Sequence, residues 1–97
     1  MIKTQPKMTI TVKRIQGTRQ DGTKYSFQRF TTLSKSGKKF DVKFRKEVLP
    51  QGLEDDISYD LSDVIYNVDQ TTVYRRVWVT SYKDVTPHAS EIIEEEL

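Results

Sequence analysis

Apolar residues recur at every second position in several short stretches of this chain. Met8, Ile10 and Val12 alternate with polar residues, and Phe40, Val42 and Phe44 repeat the pattern further on. A period of two is typical of a β-strand with one buried face. The pattern predicts strands at 8–15, 38–48 and 72–83, and a high content of aromatic and β-branched residues predicts another at 24–33.

Turn residues separate the first three predicted strands. Asp21-Gly22 lies in the segment 16–23, and Ser34–Gly37 (SKSG) follows the second strand. Short turns of this composition join neighbouring antiparallel strands, so a meander is expected. Within the second strand the apolar phase slips between Phe27 and Phe30, and a β-bulge would account for the slip.

The segment 53–70 is acidic and its periodicity is ambiguous. Leu53, Ile57, Leu61 and Val64 fit one face of a helix, whereas 57–61 also fits a short strand. We favour a strand at 57–61, followed by a turn or a single helical turn at 62–66. The predicted order is then three strands, an irregular connector and two more strands.

An all-β chain of this size must protect its strand edges, and closing into a small barrel does so. Five strands with a break after the third predict an OB-fold-like Greek-key barrel. An SH3-like small barrel is the alternative, because it would use the same strands. We expect a disordered lead at 1–7, one barrel domain at 8–86 and an acidic flexible tail at 87–97.

Charge is distributed unevenly along the 97 residues. Residues 1–49 carry 13 Lys and Arg against three acids, whereas residues 50–97 carry three against 11, so the halves have net charges of +10 and −8. Such asymmetry indicates a polyanionic partner for the basic half. The tail, with Glu91 and Glu94–Glu96, is a candidate binding segment for a protein partner.

Several classes of function find no support in the residues. The chain has no cysteine and a single histidine, His88, beside Pro87 near the end of the chain, so nucleophilic catalysis and a zinc site are not expected. The acidic cluster of Asp55, Asp56, Asp60 and Asp63 lacks the spacing of a calcium loop. We therefore predict neither an enzyme nor a cofactor. No apolar run is long enough for a membrane span and the start lacks a signal-peptide core, so a cytoplasmic protein is expected.

Basic and aromatic side chains occur together on the second, third and last strands. A protein that holds single-stranded nucleic acid needs cations for the phosphates and exposed rings on which unpaired bases stack. In an OB-fold, strands two and three and the first loop form the ligand groove. The candidate nucleic-acid-binding residues are Arg19, Lys24, Tyr25, Phe27, Arg29, Lys39, Lys43, Arg45, Arg76 and Trp78.

These residues predict binding to single-stranded DNA with little sequence preference, and RNA is a second candidate ligand. One small barrel offers a short site, so a homodimer or higher oligomer is expected. The alternative function is a protein-interaction module, such as an accessory or inhibitory factor. Its hot spot would be Tyr74, Trp78 and Tyr82, since aromatic residues are enriched at interfaces.

Two stretches of the chain, Thr23–Val48 and Val73–Lys83, resemble a known protein family. Their aromatic second strand, Ser/Lys/Gly turn, F-x-V-x-F third strand and V-W-V final strand resemble small OB-fold single-stranded-DNA-binding proteins of Gram-positive bacteriophages and mobile elements. The resemblance implies a role in DNA replication or recombination inside a bacterial host cell. It places Arg29, Lys43 and Arg45 along the bound strand, with Tyr25 and Trp78 as stacking rings. The acidic C-terminus is similar in kind to tails that recruit partners, although it ends in EEEL.

Overall fold

A computed structural model describes residues 2–88 as a sheet of six strands. The only helical element among these residues is one 3-10 turn, and none is long and apolar enough to span a membrane. The elements are β1 (Ile2–Thr18), β2 (Lys24–Leu33), β3 (Lys39–Phe44), the 3-10 turn Lys46–Val48, β4 (Ser58–Gln70), β5 (Arg75–Ser81) and β6 (Val85–Pro87).

Five of the strands close into a ring in the order β1-β2-β3-β5-β4, with β4 pairing back onto β1. β3 and β5 run parallel, and every other pair is antiparallel. β6 adds to the part of β4 at Tyr59–Leu61. The predicted all-β, five-stranded, OB-like Greek-key barrel is confirmed.

The core fills the inside of this ring with apolar residues from all five strands. Ile10, Val12, Leu61, Val64 and Val79 are completely buried. Ile10, Val12, Leu61 and Val79 occupy positions that the alternating pattern assigned to one face of a strand, whereas Val64 lies in the segment predicted as a turn. Phe44 packs edge-on against both Phe30 and Tyr82, which closes one end of the core.

The predicted disordered lead at 1–7 is wrong for the residues described. Residues 2–7 form the first part of β1, where they pair with β4 from Ile2↔Asn67 to Lys7↔Ser62. Their polar composition concealed a strand because few of these side chains enter the core. Pro6 lacks a backbone N–H, and the Pro6–Asp63 position is skipped in the pairing.

The predicted turn or helical turn at 62–66 is also wrong, because β4 runs without interruption from Ser58 to Gln70. Leu61 and Val64 both face the core, a spacing of three that imitates a helix. The cause is Asp63, which lies between them with a left-handed φ of 50° and resets the alternation.

No β-bulge interrupts β2 against β1, since their pairing runs in constant register from Thr11↔Thr31 to Thr18↔Lys24. Phe30 faces the core and Phe27, three positions earlier, faces solvent. The apparent phase slip therefore comes from two apolar residues on opposite faces of a regular strand. The tight turns at Gly22 and Gly37 have φ near 90°, which only glycine adopts without strain. Of the predicted tail, Pro87 lies in β6 and residues 89–97 lie outside the described part of the chain.

Candidate nucleic-acid interface

A groove of about 410 Å³ crosses the outer face of β2, β3 and β5. Its exposed walls include two aromatic rings, Phe27 and Trp78, and two cations, Arg29 and Lys43. We call this the aromatic groove. The four residues come from the consecutive strands β2 and β3 and from β5, which is distant in sequence, and all four were predicted site residues.

The sheet register brings these side chains onto one face. Lys43 lies opposite Trp78 in the parallel β3–β5 pair, and Arg29 lies opposite Lys13 in the β1–β2 pair. Alternation then turns Phe30, Val42 and Val77 inward beneath the groove, where all three are buried. The buried core therefore lies beneath the aromatic groove. Above it, Phe27 and Trp78 keep 49% and 38% of their surface exposed to solvent.

Tyr25 extends the aromatic groove toward the β1–β2 turn. Its ring stacks on Phe27, with centroids 6.2 Å apart and 22° between the planes, and the Arg19 guanidinium lies 5.4 Å from its centroid. Gly17 lies opposite Tyr25, and a Cβ at Gly17 would collide with the Tyr25 ring. Sequence reasoning missed Gly17 as a supporting residue, although a glycine inside a strand is a signal of such close approach.

Asp41 is a second residue that sequence reasoning missed, and it lowers the positive charge of the aromatic groove. The Nε of Arg29 donates to Oδ1 of Asp41 at 3.0 Å, and Nη2 lies 2.8 Å from the same oxygen. Asp41 also lies opposite Arg76 on β5. The Arg76 guanidinium stacks over the Tyr74 ring at 3.9 Å. The Arg76 guanidinium is therefore held by stacking on Tyr74, next to the groove.

The remaining predicted cations are less well placed. Lys39 lines a different cleft, between β1 and the β2–β3 turn. Arg45 lies just beyond β3 and pairs with Glu47 at 3.2 Å. Lys24 alternates with Tyr25 along β2 and is exposed at the start of the strand. Four of the ten predicted residues therefore line the aromatic groove. The six that lie outside its lining are Arg19, Lys24, Tyr25, Lys39, Arg45 and Arg76.

The aromatic hot spot expected for an interaction module is not assembled. The Tyr82 hydroxyl donates to the carbonyl oxygen of Val48 at 2.7 Å, and its ring packs on Phe44. Burial raises the pKa of Tyr82. Trp78, by contrast, lies exposed on the outer face, so Tyr82 and Trp78 do not share a surface.

Ion pairs between the two halves of the chain account for part of the charge asymmetry. Carboxylates of the second half approach cations of β1 in three places, which are Lys7–Asp60, Lys13–Asp56 and Arg14–Asp55. Hydrogen bonds from Gln28 and Arg14 lower the pKa of Asp55. Within residues 2–88, these acids do not converge into a cluster that could hold a metal ion.

Comparison of the chain with models of protein families, with curated proteins and with solved structures finds no match in any of the three. Function is therefore inferred from the geometry of the barrel and its surface.

Proposed function

We propose that the aromatic groove binds single-stranded DNA with little sequence preference. The observation that carries this proposal is the joint exposure of Phe27 and Trp78 beside Arg29 and Lys43 in a single groove. Rings supply stacking surfaces for any base, worth about 1–3 kcal/mol for each base, and cations supply phosphate contacts. An unpaired strand uses both at once.

The spacing of the rings suits a flexible strand. Phe27 and Trp78 are separated by two strand spacings and by two positions along the strands, about 12 Å in all. This distance leaves room for more than one nucleotide between the two rings. Tyr25 and Arg19 continue the path beyond Phe27. The bases of a duplex are stacked on one another and cannot use these rings, so single strands are favoured.

A role in replication or recombination of phage or mobile-element DNA belongs to the same proposal. It rests on the resemblance of Thr23–Val48 and Val73–Lys83 to that class of single-strand-binding proteins. Contact with several phosphates would favour binding by an assembly of barrels, because each barrel has a short groove.

The experiment is a titration with dT oligonucleotides at several salt concentrations, read from tryptophan emission. Trp78 is the only tryptophan in the chain, so quenching reports directly on the aromatic groove. We expect the logarithm of affinity to fall linearly with the logarithm of salt concentration, by about 0.7 for each phosphate contacted. Trp78→Ala should weaken binding by about 5- to 150-fold, measured with a labelled oligonucleotide.

Lys43→Glu and Lys83→Glu form a matched pair for this titration. Both lysines are exposed, but only Lys43 lines the aromatic groove. Lys43→Glu should weaken binding and flatten the salt slope, whereas Lys83→Glu should change both much less. Equal effects of the two changes, or no dT binding at low salt, would contradict the proposal. Tighter binding of duplex RNA than of dT would replace it with recognition of RNA.

A further inference from the structure

β1 changes its partners halfway along its length and leaves one edge uncovered. Its first part pairs with β4 as far as Thr11↔Ser58, and its second part pairs with β2 from Thr11↔Thr31 onward. Residues 2–8 therefore have β4 on one side and, among the strands described, no partner on the other. A cleft of about 1290 Å³ opens along this edge, between β1 and the β2–β3 turn. We call it the basic cleft.

The backbone of the free edge faces into the basic cleft. The N–H of Val12 donates to Ile57, and its carbonyl accepts from Asp56, so both groups of Val12 point to the β4 side. Successive residues of a strand point their N–H and C=O groups to opposite sides of the strand. The N–H and C=O groups of Lys7 and Thr9 therefore point away from β4. In agreement, the carbonyl oxygen of Thr9 accepts from Thr32 Oγ1 at 2.7 Å across the cleft.

The charge of the cleft is positive. No carboxylate is among its described lining residues, and six cations are: Lys3, Lys7, Lys13, Arg29, Lys35 and Lys39. Lysines on a free edge discourage pairing with a second basic strand. The same lysines attract an acidic one.

The chemistry of the cleft favours a peptide over a nucleic acid. The single aromatic ring in its lining is Tyr66, which is 7% exposed and receives a hydrogen bond from Gln5 Nε2 on its hydroxyl. Bases would find no ring on which to stack, whereas a peptide backbone can pair with the free edge. The cleft follows the free edge of a strand, so an extended chain suits it.

From these observations we infer that the basic cleft is a docking site for an extended acidic segment of a partner protein, which adds a strand to the free edge of β1. Main-chain hydrogen bonds hold such a segment, and the pattern of its side chains selects it. Carboxylates on the segment meet Lys3, Lys35 and Lys39 directly. At Lys7, Lys13 and Arg29 they compete with Asp60, Asp56 and Asp41, which already approach these cations. The basic cleft adjoins the aromatic groove, and Ile15 and Arg29 line both.

The test uses a fluorescein-labelled peptide of about eight residues that alternates Glu and Val, a length that matches the free edge. Its control is the same peptide with every backbone nitrogen methylated, which keeps the charges but removes the donors needed for strand pairing. We expect the first peptide to bind and the methylated one to bind at least about tenfold more weakly. In hydrogen exchange, the amides of Lys7 and Thr9 should gain protection when the first peptide binds.

Variants locate the site on the full chain. Lys7→Glu with Lys39→Glu should weaken peptide binding by about tenfold or more, whereas Lys83→Glu should change it little. Trp78→Ala should leave peptide binding unchanged, because Trp78 lines the aromatic groove and not the basic cleft. This variant therefore distinguishes failure of the peptide inference from failure of the proposal that dT binds.

Equal binding of the methylated peptide would overturn the inference, since charge alone would then explain the affinity. Loss of peptide binding in Trp78→Ala would do the same by moving the peptide to the aromatic groove. If dT and not the peptide loses affinity in the Lys7/Lys39 variant, the cleft is part of the nucleic-acid path. Peptide affinity that falls as protein concentration rises, together with a dimer in sedimentation, would overturn the inference by assigning the edge to a second copy of this chain.

Discussion

Among the described residues that line the aromatic groove, Asp41 carries the only negative charge. Its carboxylate forms an ion pair with Arg29, so one cation that could bind phosphate is partly neutralised. A phosphate must compete with Asp41 for Arg29. Single side chains thus decide how strongly the groove attracts a polyanion.

The change Asp41→Asn tests this competition. It removes the charge with little change of shape, so we expect tighter dT binding by several-fold at low salt and a steeper salt dependence, because Arg29 becomes available. Asp84→Asn is the matched control, since Asp84 is exposed and lies outside the groove. Unchanged affinity of the Asp41 variant in a fluorescence titration would show that Arg29 does not contact phosphate.

At the scale of elements, β1 is the strand that joins the two sides of the barrel. Its 17 residues pair first with β4 and then with β2, and this change of partner both closes the ring and opens the basic cleft. The first seven residues contribute little to the core. Their contribution to stability therefore comes mainly from their pairing with β4.

Deletion of residues 1–7 tests the contribution of this pairing. Several ladder hydrogen bonds are lost, each worth roughly 0.5–1.5 kcal/mol, so the free energy of unfolding should fall by about 2–4 kcal/mol. Thermal or urea unfolding followed by circular dichroism measures the change. A melting temperature equal to that of the full chain would mean that these residues behave as a loose lead in solution.

At the scale of the whole molecule, Asp60 connects three distant parts of the chain. Its side chain, 18% exposed, accepts a hydrogen bond from Thr9 at 2.7 Å and contacts His88 at 2.9 Å, while Lys7 lies 3.9 Å away. Burial alone would raise the pKa of Asp60. The hydrogen bonds from Thr9 and His88 and the neighbouring positive charges outweigh it, so the pKa is lowered from 3.8.

This lowered pKa predicts how stability depends on pH. A carboxyl group with a lower pKa in the folded state stabilises the fold above its unfolded pKa, and the contribution disappears as pH falls through the folded value. Stability measured by urea unfolding should therefore decrease as pH falls below about 4. Asp60→Asn should be less stable at neutral pH and lose less on acidification. The same slope in the Asp60 variant and in Asp84→Asn would exclude Asp60 as a source of the dependence.

Local patterns predicted all or part of five strands and four of the residues that line the aromatic groove. Aromatic and β-branched composition identified Lys24–Leu33 with its observed bounds, and Lys43 and Trp78 were correctly expected on the outward faces of their strands. The error at 62–66 arose because Asp63 resets the alternation through a backbone conformation that is rare for non-glycine residues. No local sequence pattern predicts a left-handed backbone conformation at Asp63.

By itself, the sequence determined an all-β barrel with a basic early half, because alternation and turn chemistry act between residues that are close along the chain. Only the tertiary structure decided which side chains share a surface. It placed Trp78 beside Lys43, turned Tyr82 into the core and set Asp41 against Arg29. The first two relations join segments that are distant in sequence, and the third depends on the register between β2 and β3. The packing of the core selects these registers and contacts, and a short window of sequence does not contain it.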